Sequence, residues 1–122
     1  VGNLECPISA RGTPVDKKYV FRAPAEAGAS LAYAGFDLVS LANNHSLDYG
    51  TTALDDTIEI LTQNQVLTVG AGQGESKAYQ PVLLEVDGLK IAFLAFVDVP
   101  TLDYDYLSWE AAADNPGVAW AH

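Results

Sequence analysis

The segment 41–50 brings together the residue types from which a reactive centre is built. Asn43, Asn44, His45 and Asp48 lie within six positions, directly after a short apolar run. Amide and carboxylate oxygens bind divalent cations, and an imidazole binds metal or transfers protons near neutral pH. A structural interpretation is the alternative, because asparagine favours turns, Asp48 could cap a helix and a single loop histidine is commonly only solvated. The density of the cluster favours a functional site.

A second candidate set lies at the start of the chain. If Gly2-Asn3-Leu4-Glu5 ends a strand, Asn3 and Glu5 point to the same side, because side chains alternate along a strand. This amide and this carboxylate would complete a metal site beside His45. Any Asn-x-Glu triplet has the same property, so the spacing alone leaves a plain strand end as the alternative.

Other reaction chemistries lack their motifs. The loop 70–74 departs from the dinucleotide-binding pattern, because Glu75 stands at the third glycine position and no Walker lysine follows. We expect this loop to be a flexible turn. The sequence has no Gly-x-Ser-x-Gly motif, and its single cysteine, Cys6, has no recognisable redox or protease context. We therefore interpret Cys6 as a packing residue.

The elements that must position these clusters follow from periodicity and turn residues. Apolar side chains at helical spacing predict helices, and short apolar runs predict strands. The helices are predicted over residues 25–34 and 50–63, and the strands over residues 36–41, 66–69, 81–86 and 89–97. Asp48 or Thr51 is placed to cap the second helix, and Asp87-Gly88 has the residues of a two-residue hairpin turn. The last strand is nearly all apolar, so we expect both of its faces to be covered.

This order of elements predicts the α/β class, with a mainly parallel first half and an antiparallel pair later. Ligands of such sheets bind at the carboxyl ends of the strands. The loop 43–45 follows the predicted strand 36–41 at such an end. Its position therefore adds to the argument for a site.

Charge and composition limit the partners and the size of the fold. Sixteen acidic residues against six basic ones give a formal charge of −10, which argues against binding to nucleic acid. The 49% of hydrophobic residues is typical of a folded globular protein. No apolar run reaches the roughly eighteen residues of a membrane-spanning helix. Because the sequence begins at Val1 and lacks methionine, we expect part of a longer parent protein.

Three motifs, taken in this order, carry a family resemblance. They are Asn3-Leu4-Glu5-x-Pro7-Ile8, Phe21-Arg22-Ala23-Pro24 and Leu41-Ala42-Asn43-Asn44-His45-x-x-Asp48-Tyr49-Gly50. The chain resembles the bacterial capsule-synthesis proteins of the CapA/PgsA-like, poly-γ-glutamate biosynthesis type, from Val1 to about Trp120. The Asn-Asn-His box with its Asp-Tyr-Gly tail is the specific part of this resemblance.

The resemblance implies a fold and a set of site residues. The family is similar to calcineurin-like metallophosphoesterases, which hold two metal ions in a four-layer α/β sandwich. By position in the motif, Asn44 would bind metal and His45 would be catalytic, with Asn3 and Glu5 as further ligands. An asparagine cannot bridge two cations as the usual aspartate does, so either Glu5 would take that role or the metal centre would be altered. Residues 1–122 would be the central part of one such domain, truncated at both ends, with the remaining ligands outside it.

Two functions follow from the resemblance. The first is metal-dependent phosphoester chemistry on a phosphorylated or polymeric envelope substrate, with Mn, Fe or Zn as the cofactor of the parent protein. This chain alone would bind such ions weakly or not at all. The second is a non-catalytic role in assembly or export of a capsule polymer, with membrane-bound synthase components as partners. Both imply the cell envelope or the extracellular space as the location.

Overall fold

A small parallel sheet forms the centre of the fold. The computed structural model describes residues 1–100 and 104–122, and strands β1 (Gly2–Asn3), β2 (Leu38–Ser40) and β3 (Leu67–Val69) pair in the order β1-β2-β3. Gly2 lies opposite Val39, and Leu38 opposite Leu67. The carboxyl ends of β1 and β2 therefore open onto the same edge, as predicted for the start of the chain and for the strand before the Asn-Asn-His box.

The remaining elements complete a mixed α/β structure. The helices are α1 (Glu26–Tyr33), α2 (Gly50–Gln63), α3 (Glu75–Ala78) and a 3₁₀ helix at Tyr106–Trp109, and the further strands are β4 (Ala71–Gly72), β5 (Val82–Val86), β6 (Leu89–Phe93) and β7 (Gly117–Val118). β4 pairs with β7 and β5 with β6, both antiparallel. The predicted α/β class is confirmed, including its parallel first half and later antiparallel pair. Within the described residues, no helix has the length and apolar character needed to cross a bilayer.

Helix α2 has the predicted bounds and covers the sheet with its apolar face. Leu54 and Leu61 are fully buried, together with the side chain of Thr57. The predicted cap is wrong, because Tyr49 stands at the N-cap position and no side chain caps the helix. The carboxylate of Asp48 instead accepts hydrogen bonds from residues outside the helix.

A single large hydrophobic cluster lies between the sheet, α2 and the C-terminal segment. Its buried members come from the whole length of the described chain: Ile8, Val39, Leu41, Leu47, Leu54, Leu61, Val66, Ala71, Val97, Trp109, Val118 and Trp120. The C-terminal segment is thereby anchored against the centre of the fold, and Ala119 donates a backbone hydrogen bond to the carbonyl of Gly70.

The loop 70–74 is not the flexible turn that the sequence predicts. Ala71 and Gly72 form β4 and are buried against β7. A Cβ atom on Gly72 would lie 2.5 Å from the Cβ of Lys77, so the glycine permits close packing of β4 against α3. Glycine spacing alone could not separate close packing from flexibility.

The hairpin turn is confirmed, but the predicted burial of its second strand is wrong. Asp87 and Gly88 both have positive φ angles, 51° and 79°, as the two-residue turn requires. β6 ends at Phe93 rather than at residue 97, and Leu89 and Ile91 are 67% and 39% exposed. The reason is that β6 pairs with β5 and with no other described strand, and both strands lie largely outside the main core.

Candidate functional site

Asn43 fastens the ends of β1 and β2 to each other. Its side-chain nitrogen donates to Asn3 Oδ1 at 3.1 Å and to the Leu4 carbonyl at 2.9 Å. Its side-chain oxygen accepts from the His45 backbone N–H at 3.0 Å and from Ser46 Oγ at 3.1 Å. Asn43 is buried, and both ends of its amide are engaged, so its contribution is to shape the loop that carries His45.

The imidazole of His45 is oriented by a buried carboxylate. His45 Nδ1 lies 2.6 Å from Asp48 Oδ2, and the Asp48 side chain is completely buried. The same oxygen accepts the backbone N–H of Phe21 at 2.6 Å, and the Phe21 ring stacks on the imidazole with centroids 4.2 Å apart. A carboxylate only accepts hydrogen bonds, so the 2.6 Å contact assigns a proton to Nδ1. The Lys17 ammonium, 3.3 Å from the same nitrogen, is then a neighbouring charge and not a donor to it, and Nε2 carries the lone pair in the uncharged form of the ring.

Lys17 neutralises the buried carboxylate. Its Nζ donates to Asp48 Oδ1 and to the carbonyl oxygen of Asn44, both at 2.5 Å. The ammonium also lies 5.2 Å and 5.0 Å from the ring centroids of Tyr106 and Trp109, within range of cation–π attraction. Only 6% of the Lys17 side chain is exposed. The site therefore contains a buried ion pair built from segments that are far apart in the sequence.

Lys17 and Phe21 were not among the candidate residues from the sequence. One signal was available, because the chain has only six basic residues and three of them, Lys17, Lys18 and Arg22, lie within six positions. Such a concentration of positive charge in an acidic chain marks a place where an anion or a buried carboxylate needs a partner.

A cavity of about 430 Å³ opens beside this cluster. Its described lining residues are Lys17, Lys18, Tyr19, Asn44, His45 and Tyr106. The Nδ1 side of His45 is occupied by Asp48, so Nε2 is the ring nitrogen available to a ligand. The imidazole of His45, oriented by Asp48 at Nδ1, can therefore exchange a proton with a small ligand at Nε2.

The predicted metal ligands are only partly brought together. Asn3 Oδ1 accepts a hydrogen bond from the side chain of Asn43, and Glu5 is exposed. The backbone carbonyl of Asn44 accepts a hydrogen bond from the Lys17 ammonium. In residues 1–100 and 104–122, no group of three or more His, Cys, Asp or Glu side chains is close enough to hold a metal ion. The predicted ligands Asn3, Glu5 and Asn44 comprise one carboxylate and two amides, and their role as metal ligands stays a prediction.

Cys6 lies near the site without the character of a nucleophile. Partial burial raises the pKa of its thiol, and the negative charges of Asp48 and Glu5 raise it further. A cysteine nucleophile needs the opposite environment, because the thiolate is the reactive form.

Comparison with known proteins connects this geometry to a family. The family model described as bacterial capsule synthesis protein PGA_cap matches residues 1–121. The chain is 33% identical over 101 residues to capsule biosynthesis protein CapA of Bacillus anthracis. This alignment covers 80% of this chain and 25% of that protein. It is also 32% identical over 120 residues to PGA biosynthesis protein CapA of Bacillus subtilis. That alignment covers 96% of this chain and 30% of that protein.

A third relative comes from a different group of bacteria. A probable polyglutamine synthesis accessory protein of Mycobacterium tuberculosis is 32% identical over 117 residues, covering 95% of this chain and 30% of that protein. The chain spans less than a third of the length of these relatives. The family resemblance read from the three motifs is confirmed: the chain belongs to the bacterial capsule synthesis protein PGA_cap family.

Proposed function

We propose that the parent protein, meaning the longest natural protein that contains this sequence, takes part in the biosynthesis of a poly-γ-glutamate-type capsular polymer. Family membership and the names of the relatives support this process. The proposed location is the cell envelope or its outer surface, where such a polymer is assembled.

Within this process, we propose that His45 is a general acid–base residue for a ligand in the cavity. The observation that carries this proposal is the 2.6 Å contact between His45 Nδ1 and the buried Asp48 carboxylate, on the side of the ring opposite Nε2. A ring held in one tautomer and orientation presents Nε2 to the ligand without reorganisation. Lys17 supports this arrangement, because its positive charge offsets part of the desolvation free energy of the buried Asp48 carboxylate.

The reaction that we propose is hydrolysis of a phosphoester on an envelope substrate. The oxygen of a water molecule forms the new phosphorus–oxygen bond as the bond to the leaving oxygen breaks, and the imidazole, protonated at Nε2, gives that proton to the leaving oxygen. The attacking water releases one proton to solvent, and a proton from solvent restores Nε2, so the reaction consumes only the ester and water.

The second candidate is a non-catalytic part of a polymer assembly or export complex, with membrane-bound synthase components as partners. The word accessory in the name of the mycobacterial relative favours this role.

The two candidates are separated by substituting His45 in the parent protein. We expect His45→Gln to lower phosphodiester hydrolysis by about a hundredfold or more, the usual contribution of a positioned acid–base residue. His122→Gln is the matched control, because it removes the only other histidine of the chain, which is 68% exposed and pairs with Glu110. Capsular polymer that is still produced normally by the His45→Gln variant would favour the non-catalytic role.

Metal content provides an independent measurement on the same protein. The ligand set of Asn3, Glu5 and Asn44 with Mn, Fe or Zn stays a prediction of the family resemblance. If it is right, the purified parent protein contains stoichiometric metal and Glu5→Gln lowers that content, whereas Glu85→Gln on the exposed hairpin does not. A parent protein that purifies without metal, and does not take it up on addition, contradicts the ligand set.

A further inference from the structure

Lys18 brings an uncompensated positive charge to the cavity beside His45. The neighbouring Lys17 is neutralised by Asp48, whereas Lys18 is exposed and forms no ion pair with any described residue. The described residues that line the cavity include no aspartate or glutamate. The charged side chains among the described lining residues are therefore lysines, although the chain as a whole carries −10.

The position of the Lys18 ammonium is restricted by an aromatic ring. Its Nζ lies 5.1 Å from the ring centroid of Tyr19, which also lines the cavity. This contact lowers the conformational freedom that a surface lysine would otherwise lose on binding an anion. Asn44 and Tyr106 line the same cavity and have neutral groups that can donate hydrogen bonds to an oxyanion.

We propose that Lys18 is the residue that selects an oxyanion, as a carboxylate or a phosphoryl group, for the position beside His45. The proposal rests on the proposed function of this cavity and adds the class of group that the cavity recognises. Because the chain as a whole is strongly acidic, a cavity whose described charged side chains are lysines is a comparatively favourable place for an anion. A carboxylate would come from the polymer itself, and a phosphoryl group from a phosphorylated substrate.

The test is a binding titration of the parent protein with inorganic phosphate and, separately, with glutarate, followed by the NMR signals of residues 17–19 and 44–45. We expect Lys18→Gln to weaken the binding of at least one of these anions by about tenfold, the loss of one charge-assisted hydrogen bond. Lys18→Arg, which keeps the charge, should retain most of the affinity. Lys90→Gln is the matched control, because it removes one positive charge from the exposed strand β6.

Each outcome decides the proposal. Loss of phosphate binding in Lys18→Gln supports it with a phosphoryl group as the ligand, and loss of glutarate binding supports it with a carboxylate. Unchanged affinity in Lys18→Gln overturns it, and so does an equal loss in Lys90→Gln, which would show only an effect of net charge. Binding is measured without turnover, so a failure of His45 as a catalytic residue would leave this result standing.

Discussion

At the scale of single residues, the site depends on a buried charge pair. Lys17 and Asp48 are 6% and 0% exposed, and the carboxylate is shared between the ammonium, the imidazole of His45 and the Phe21 backbone N–H. Burying two charges costs several kcal/mol of desolvation each, so such a pair stabilises a fold only when its hydrogen bonds are complete. Here both carboxylate oxygens have donors.

Removing both charges of this pair should therefore cost less stability than the two single removals added together. We expect Lys17→Met to lower the free energy of unfolding by about 3–5 kcal/mol, because Asp48 would remain buried without its counter-ion. The double variant Lys17→Met/Asp48→Asn should lose less than the sum of the single variants. Urea denaturation of the parent protein, followed by tryptophan fluorescence, measures both quantities. Strictly additive losses would contradict the coupling.

The residue types of the site were only partly predictable. His45, Asp48 and Asn43 could be found from the sequence, because they share one short loop after a strand. Lys17 could not, because its contact with Asp48 joins positions 31 residues apart through two irregular segments. The periodicity of a sequence does not show which loops contact each other in the fold. Only the clustering of the few basic residues indicated that Lys17 belongs to the site.

At the scale of elements, helix α2 holds the irregular segment that follows β1 in place through one buried side chain. The buried Thr57 Oγ1 accepts the backbone N–H of Ile8 at 2.8 Å and donates to the Ala53 carbonyl at 2.6 Å. Ile8 is completely buried, so its N–H would otherwise lack a partner. Helix α2 thus positions the segment that follows β1 and begins with Leu4 and the predicted ligand Glu5.

Thr57→Val should lower the local stability around Ile8 by about 1–3 kcal/mol, because a buried N–H loses its acceptor. Thr62→Val is the matched control on the same helix: Thr62 is exposed and its hydroxyl donates to the Ile58 carbonyl in the same way. The control should change stability by no more than about 0.5 kcal/mol. Hydrogen exchange at the Ile8 amide measures the difference, and similar exchange in both variants would argue against this role.

The accuracy of the predicted elements follows from what stabilises each one. The bounds of α2 were predicted correctly, because the apolar residues of its buried face recur at helical spacing within the helix sequence itself. The exposure of β6 was not, since an apolar strand reads the same whether or not another layer covers it. Segment 71–72 was missed as a strand because its partner, Gly117–Val118, lies more than forty residues away.

At the scale of the whole molecule, the Arg11–Asp56 ion pair and the His122–Glu110 hydrogen bond join separate segments and make stability depend on pH. The Arg11 guanidinium and the Ser9 hydroxyl lower the pKa of Asp56 on α2. His122, with the Tyr79 hydroxyl, lowers the pKa of Glu110. A carboxyl group with a lowered pKa in the folded state binds protons more readily when unfolded, so acid favours unfolding.

The contribution of these two carboxylates should be present at pH values above about 4–4.5, the usual range of unfolded carboxyl groups, and be lost as the pH falls through their lower folded pKa values. We expect Asp56→Asn/Glu110→Gln to be less stable than the wild type at pH 7, with the difference shrinking towards pH 3. Thermal denaturation across this range measures it. A difference that stays constant with pH would show that packing, rather than charge, is responsible.

The shared carboxylate of Asp48 also has an evolutionary consequence. A lineage that replaces Lys17 leaves a buried negative charge, and one that replaces Asp48 leaves a buried ammonium, so either change alone is selected against. Positions 17 and 48 are therefore expected to vary together among homologous sequences, and to be exchanged as a pair when the site loses its role. A correlated loss at these two positions would mark the members of the family in which the cavity has been abandoned.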